Sequence, residues 1–274
     1  MSIKRFFKSR FVGGKIVEGD YSQLEIRVLA ELSGDKQLMK DVDETDLHSI
    51  RAAEWKGKRV ADVTPLERRL AKTISFQLQY GAGFKSIAAT NNITIEEAKS
   101  FVEAYYRRYP SVVAWQERVM AQVVKSRVPS SKRTKAGVPA GEGKYICPVT
   151  SREYTFYEKD GFTRAWGKDV GPTFYAPEVK NYPVQGLATG DIVPMVLGRL
   201  SRHMLRMGYD SLLVNTVHDS IVIDAHPAEV DEMVRVLKNI MELAPEYIKE
   251  DYEYVMKVEL PVDVKVGESW DAMA

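Results

Sequence analysis

Lys15-Ile16-Val17-Glu18-Gly19-Asp20-Tyr21-Ser22-Gln23-Leu24-Glu25 reads as a short strand ending at a carboxylate, followed at once by a helix. From Ser22 to about Ser33 the apolar residues Leu24, Val28 and Leu32 recur every four positions, the signature of one buried helical stripe. Two further segments complete the pattern. Arg68, Lys72, Phe76 and Tyr80, followed by Gly81, fall at i, i+4, i+8 and i+12, so two cations and two aromatics share one helix face. Near the C-terminus, Val217-His218-Asp219-Ser220 sets a second aspartate beside a strand-like run. Two carboxylates can hold metal ions, and a basic, aromatic helix can grip a nucleotide.

Between these segments the start and stop signals are local and plain. Thr64 is an expected N-cap, with Pro65 in the first helical position and Glu67 closing a capping box. The helix it opens is expected to end at Tyr80, before Gly81-Ala82-Gly83. Asp46-Leu47-His48 precedes another helix to about Trp55. Thr94 with Glu97 opens a helix to about Arg108, and Pro110 divides that helix from the next, Ser111 to Val124. Arg127 to Gly143, rich in Ser, Lys, Gly and Pro, reads as a long mobile loop. Glu153 to Tyr157 alternates like a strand. Gln185 to Met207 reads as helical, with Pro194 kinking it or starting a second segment. Strands Tyr209–Val217 and Ile221–Asp224 are joined by a tight turn, followed by a helix from Ala228 to Leu243 and a strand from Lys257 to Val266. Strands at both ends around a helical middle predict an α+β fold, with a largely helical insertion in a sheet domain.

The 274 residues suffice for one large domain or two modest ones. A net charge of +1 neither demands nor excludes a polyanionic partner, because basic groups can line one surface only. Basic residues gather at Lys4 to Lys15 and Lys125 to Lys135, and the stretch from Glu242 to Glu259 is mostly acidic. A single cysteine, Cys147, leaves no disulfide framework and no thiolate metal site, and points to a reducing compartment. No apolar run approaches the length of a membrane span, so no membrane association is expected.

Asp20-Tyr21-Ser22-Gln23-Leu24-Glu25-Ile26-Arg27 resembles motif A of the family A DNA polymerases. Arg68 to Gly81 resembles their motif B, the fingers helix, and Leu213 to Asp219 their motif C. Asn181-Tyr182-Pro183-Val184-Gln185-Gly186 is similar to the palm segment that precedes motif C. Order and spacing agree over essentially the whole chain, and the wording of motif A and of Tyr80-Gly81-Ala82-Gly83 is closest to bacteriophage members. The resemblance implies a right-hand fold: an antiparallel palm sheet from residues 1–35 and 166–274, with mainly helical fingers at 36–165. It implies a template-directed DNA polymerase that adds deoxynucleoside triphosphates to a primer 3′-hydroxyl. Asp20 and Asp219 would hold two magnesium ions, assisted by the peptide oxygen of Tyr21. Glu25 would be a steric gate near Tyr80, against a ribose 2′-hydroxyl. Arg68 and Lys72 would meet the triphosphate, with Lys72 also protonating the leaving pyrophosphate. Phe76 would pack on sugar and base, Tyr80 would close the insertion site and His48 would contact phosphate. Asn181, Gln185 and His218 would hold primer-template DNA near the terminal base pair, where minor-groove acceptors are shared by all pairs. A cytoplasmic location in a bacterial or phage-infected cell follows, with an organelle left open.

Three departures qualify this reading. Ser220 stands where motif C has an auxiliary glutamate, a feature shared with single-subunit RNA polymerases, whose motif A lacks the Tyr21–Glu25 gate pattern. Pro177 stands where many members carry a basic residue four positions before the palm asparagine. The family's thumb, its upstream palm strands and any 3′–5′ exonuclease domain have no counterpart in the sequence. A second polypeptide carrying thumb and exonuclease is therefore expected, with a truncated sequence as the alternative. A non-catalytic nucleic-acid-binding remnant and a single-subunit-type RNA polymerase are the rival functions.

Overall fold

The computed structural model describes residues 3–44, 46–161 and 171–272. After a single 3-10 turn, β1 (Lys15–Tyr21) leads into α1 (Leu24–Ser33). Six helices follow: α2 (Lys36–Asp41), α3 (Leu47–Lys56), α4 (Pro65–Gln79), α5 (Phe84–Asn91), α6 (Ile95–Arg108) and α7 (Pro110–Lys125). Strands β2 (Val128–Arg133), β3 (Pro139–Ile146) and β4 (Glu153–Tyr157) come next. A π-helical segment, Gly186–Ile192, connects α8 (Ala176–Gln185) to α9 (Val193–Met207). The hairpin β5 (Leu212–Val217) and β6 (Ser220–Ala225) precedes α10 (Val230–Glu242), α11 (Ala244–Tyr252) and β7 (Val262–Gly267). Helices combined with antiparallel sheets agree with the α+β expectation. Among the described residues no helix is long and apolar enough to cross a membrane.

The chain divides into two compact units, residues 1–28 with 185–274, and residues 29–184. The boundary anticipated at 165/166 lies outside the described residues. The first unit is built on a four-stranded antiparallel sheet in the order β5-β6-β1-β7. Its centre, β1, carries Val17, Gly19 and Tyr21 on the face covered by α10. Val17 is fully buried, and the Tyr21 hydroxyl donates to the carbonyl of Met241 at 2.7 Å. Gly19 is required by close approach: a Cβ there would lie 2.7 Å from Met241 Sδ and 3.0 Å from Leu237. Arg27, buried on α1, donates to the carbonyls of Ser22 at 3.0 Å and Glu259 at 3.1 Å, and so fastens the strand-to-helix corner to the segment entering β7.

In the second unit both expected capping boxes are present, at Thr64 with Glu67 and at Thr94 with Glu97. Arg108 makes a bidentate contact with buried Asp41, at 2.6 and 2.9 Å, and the Tyr109 hydroxyl donates to the same carboxylate at 2.7 Å. This polar cluster ties α2 to the corner between α6 and α7.

One expectation is corrected outright. Residues 127–143 are not a loop: β2 and β3 pair, and β3 pairs with β4, in a three-stranded antiparallel sheet. The apolar alternation that marks a strand is missing because β3 buries Ala140, Gly141 and Gly143. A Cβ on Gly143 would sit 2.2 Å from the carbonyl of Val123, so a small residue is what lets α7 lie against this strand. Smaller differences follow from context. Helix α8 starts at Ala176 and carries Pro183 inside it; at Pro194 a second segment starts, with Pro194 in the first turn of α9 directly after the π segment. The last strand starts at Val262 rather than Lys257, and α2, α5 and α11 are additional helices.

Gly19→Val is expected to destabilise the protein by about 1–3 kcal/mol through overpacking against α10. Urea denaturation measures this, and the double variant Gly19→Val, Met241→Ala should recover part of the loss.

Candidate active site

The first unit gathers a set of carboxylates at one end of its sheet. In the register of β1, Asp20 lies opposite Ser220 of β6 on one side and Asp263 of β7 on the other. Asp219 is the second residue of the two-residue turn joining β5 to β6, and its carbonyl accepts from the Tyr21 N–H at 3.4 Å. His218, the first residue of that turn, has a left-handed backbone (φ 56°), a conformation His tolerates better than most residues. Side chains alternate along a strand, so Asp20 and Glu18 point away from α10, toward the open face. Asp20 and Asp219, far apart in sequence, thus share one sheet end.

Crowding of like charge is visible in the acidities. Partial burial, reinforced by Asp219, Glu18 and Asp263 and opposed by Lys265, raises Asp20 to about 6. Burial also raises Asp219, against the opposing pull of its own backbone N–H and of His218. A bound cation would relieve this repulsion, and the donors are the hard oxygens that magnesium prefers. Among the described residues no group of three or more His, Cys, Asp or Glu is arranged to hold a metal. The fit is therefore to an ion taking one or two carboxylates, with other ligands from substrate phosphates and water, as is common for magnesium. Ser220 is buried, and its hydroxyl donates to the carbonyl of Val217 at 3.1 Å, which closes the turn rather than extending the acidic set.

In the second unit, α4 buries Ala71, Ile74, Ser75 and Leu78 and leaves Arg68, Lys72 and Tyr80 exposed, with Phe76 half-buried between them. The expected stripe is therefore the outward face of the helix. Arg68 Nε lies 3.0 and 2.9 Å from the two carboxylate oxygens of Asp46, which also caps α3 through the Ser49 N–H. His48, in the first turn of α3, is buried, with its ring 6.1 Å from that of Phe76. Burial first, then Arg51, Lys72 and Arg68, lower its pKa to about 4, against Asp46, so the imidazole is neutral near pH 7. Its Nδ1 has no hydrogen-bond partner. Lys72 Nζ stands 6.0 Å from the Phe76 ring. His48, Arg68, Lys72 and Phe76 are thus brought together on two packed helices. Gly81 follows with φ 75°, and a Cβ there would meet the Pro177 backbone at 2.8 Å. The proline that departs from the family pattern is therefore seated against the end of α4.

The remaining expected residues are placed as follows. Glu25 is in the first turn of α1 and only partly buried, rather than fully enclosed. Asn181 and Gln185 lie one helical turn apart on α8, Asn181 buried with its amide oxygen unpartnered. His218 is exposed beside Asp219. The metal-type carboxylates fall in the first unit, and the α3–α4 residues in the second. Sequence reasoning missed Asp263, Glu18 and Lys265 as neighbours of Asp20, and Asp46 as the partner of Arg68. The alternation Val262-Asp263-Val264-Lys265-Val266 carried the signal for two of them.

Because Asp20 titrates near 6 in the folded protein and near 3.8 without these neighbours, the native state holds the extra proton between those values. Folding stability falls as pH rises through that window. Asp20→Asn should therefore raise metal-free stability at pH 7.5, and the gain should vanish below pH about 4, as read by urea denaturation at both pH values.

Comparison with known proteins gives the context of this site. The description "DNA polymerase family A" matches residues 1–137 and 169–272. The thermostable DNA polymerase I of Thermus thermophilus is 31% identical over 271 residues, covering 98% of this chain and 28% of that protein. DNA polymerase I of Lactococcus lactis is 28% identical over 275 residues, covering 97% of this chain and 27% of that protein. The solved POL domain of Pol1 from M. smegmatis, in complex with DNA primer-template and dNTP, superposes with a TM-score of 0.72 at 26% identity. That match covers 99% of this chain and 42% of the other. The chain thus spans little more than a quarter of the length of these curated relatives. With its match running through both units, the chain belongs to DNA polymerase family A.

Proposed function

We propose that this chain is the palm-and-fingers catalytic portion of a template-directed DNA polymerase, adding deoxynucleotides to a primer 3′-hydroxyl. The observation that carries the reading is the convergence of Asp20 and Asp219 at one sheet end, within a chain that matches the family along most of its length. On this reading the unit of residues 1–28 and 185–274 is the palm, and residues 29–184 contain the fingers.

Two magnesium ions, held by Asp20, Asp219 and the carbonyl of Tyr21, would lower the pKa of the primer hydroxyl and neutralise charge on the leaving pyrophosphate. The protein's own groups do the rest. Asp20 and Asp219 must be ionised, so metal affinity rises with pH through the range in which Asp20 loses its proton. Lys72 and Arg68 receive the triphosphate, and Arg68 exchanges its Asp46 partner for phosphate oxygens. Lys72 delivers a proton to the departing pyrophosphate. His48 donates to phosphate as a neutral imidazole, consistent with its low pKa. Phe76 packs on the sugar and base, Tyr80 closes the insertion site and Glu25 excludes a 2′-hydroxyl. Asn181, Gln185 and His218 hold the primer terminus and template.

A second polypeptide carrying thumb and exonuclease is proposed as a partner alongside primer-template DNA. What supports it is the outer edge of β5: among the described residues no strand pairs there, and Val214 and Val217 are exposed on it. An open edge invites strand addition.

Primer extension by the purified chain, with and without added partner fractions, tests the reading. Asp20→Asn should reduce extension by roughly 10²-fold or more; unchanged extension would sink the catalytic assignment, and DNA binding without any extension would favour the binding remnant. Glu25→Ala should raise incorporation of ribonucleotides relative to deoxynucleotides, and no change removes the gate role. Phe76→Tyr should raise dideoxynucleotide incorporation, and an unaltered ratio counts against the motif B assignment.

A further inference from the structure

The second basic block of the sequence, Lys125 to Lys135, lies in the second unit, where it runs from the end of α7 through β2 into the turn before β3. None of the assigned roles uses it. Arg127, Lys144 and Lys159, three cations of this region, each have a carboxylate partner: Glu158, Glu153 and Glu178. Lys132, Arg133 and Lys135 are exposed and have no carboxylate partner among the described residues. Lys132 Nζ instead stands 3.4 Å from the centre of the Tyr157 ring, and Arg133 donates to the carbonyl of Gly137 at 2.7 Å. The turn that carries these cations is fixed by its backbone. The Thr134 N–H donates to the carbonyl of Val138 and the Gly137 N–H to that of Thr134, both at 2.9 Å. The Ala136 N–H donates to the Asp160 carboxylate at 2.9 Å.

Beside this turn lies a cavity of about 610 Å³. Lys132, Arg133 and Lys135 line it, with Tyr157 and Ala140 as apolar wall. Its other charged groups are engaged: Glu158 by Arg127 and the Gly141 N–H, Lys159 by Glu178, and Asp160 by the Ala136 N–H. Four cations against two carboxylates leave the cavity positive. Thr134 also lines it; that residue is 9% exposed, and its hydroxyl has no hydrogen-bond partner.

Like charges held on a fixed turn repel, and an anion bound among them relieves the repulsion. A guanidinium fork and two ammonium groups suit the several oxygens of a phosphate. A buried hydroxyl left unpaired is costly, and a phosphate oxygen is an acceptor for it. Pockets that enclose a small molecule measure roughly 300–1,000 Å³, so inorganic phosphate alone would leave most of this one unfilled. The Tyr157 ring offers a surface for the rest of the ligand, since stacking on an aromatic ring serves any base. Lys132 would then leave the ring for the phosphate, and the uncovered ring would take the base.

We propose that Lys132, Arg133, Lys135 and the Thr134 hydroxyl form a nucleotide-phosphate site separate from the α4 residues, with the base of the nucleotide stacked on Tyr157. The nucleotide is either free or one unit of a single strand, because both present the same phosphate and base. The site goes beyond the polymerase reading and uses neither its carboxylates nor α4.

The test uses the full chain without divalent metal and follows the amide NMR shifts of Ala136 and Gly137. The probes are ADP, a thymidine hexanucleotide, inorganic phosphate and a capped hexaglutamate peptide. ADP or the hexanucleotide is expected to bind at least tenfold more tightly than phosphate or the peptide, and the tighter of the two identifies the source of the nucleotide. The double variant Lys132→Met, Lys135→Met should weaken that binding at least tenfold and Thr134→Val at least threefold, whereas Lys72→Ala on α4 should leave it unchanged. Phosphate or the peptide binding as tightly as the nucleotide probes overturns the proposal, as does undiminished binding by the double variant or by Thr134→Val. If the double variant disturbs the hairpin, Tyr157→Leu decides: it should weaken the nucleotide probes and spare phosphate, and an unaltered nucleotide preference overturns the site. Asp20→Asn should leave this binding intact, so a chain that binds a nucleotide here but extends no primer refutes only the polymerase reading.

Discussion

The pairing of β1 between β6 and β7 is the constraint on which the rest of the first unit depends. Antiparallel register sets Asp20 beside Ser220 and Asp263, and the turn entering β6 brings Asp219 to the same end. Because side chains alternate, a slip of one residue would turn Asp20 toward α10 and Gly19 outward. Gly19 forbids that slip from the other direction, since α10 approaches too closely for any larger residue. Arg27 then fixes the helix that follows, by binding the carbonyls of Ser22 and Glu259. Packing on one face of the sheet thereby dictates the chemistry available on the other.

That chemistry is held at an electrostatic cost. Asp20 is surrounded by Asp219, Glu18 and Asp263, with Lys265 in partial compensation, and its acidity is weakened accordingly. A fold arranged for stability alone would not concentrate carboxylates in this way, and perturbed acidities of this kind gather at functional sites. The second unit shows the opposite arrangement. Cations Arg68 and Lys72 stand on the exposed face of α4, and together with Arg51 they and burial keep His48 neutral. Asp46 balances Arg68 and caps α3 with the same carboxylate, so one residue serves both helix stability and the position of the Arg68 guanidinium.

The departures from the family pattern have local structural accounts. Ser220 closes the β5–β6 turn through its hydroxyl, a hydrogen bond a glutamate could not donate once ionised. Pro177 lies against Gly81, whose left-handed backbone and lack of Cβ make that contact possible. Asp224, by contrast, is paired with Arg10 through one carboxylate oxygen and keeps the other without a hydrogen-bond partner.

Much of this protein was legible in its residues because the signals were local. Thr64 with Glu67 and Thr94 with Glu97 announced two helices, and the four-residue spacing of Arg68, Lys72, Phe76 and Tyr80 announced the exposed face of α4. The motif order also identified the family, since it depends on residue types rather than contacts. The β2–β3 hairpin was not legible, because the buried positions at the start of β3 are the small residues Ala140, Gly141 and Gly143, and the need for Gly143 appears only when α7 packs on it. Nor could the sequence say that Asp263 faces Asp20, that Asp46 holds Arg68 or that Asp224 keeps an unanswered oxygen. By itself the sequence determined the longer capped and periodic helices, the central strand and the two aspartates, through short-range periodicity and capping. Register, burial and the neighbours of each charge were decided only by tertiary structure, because those depend on which distant strands and helices the chain brings into contact.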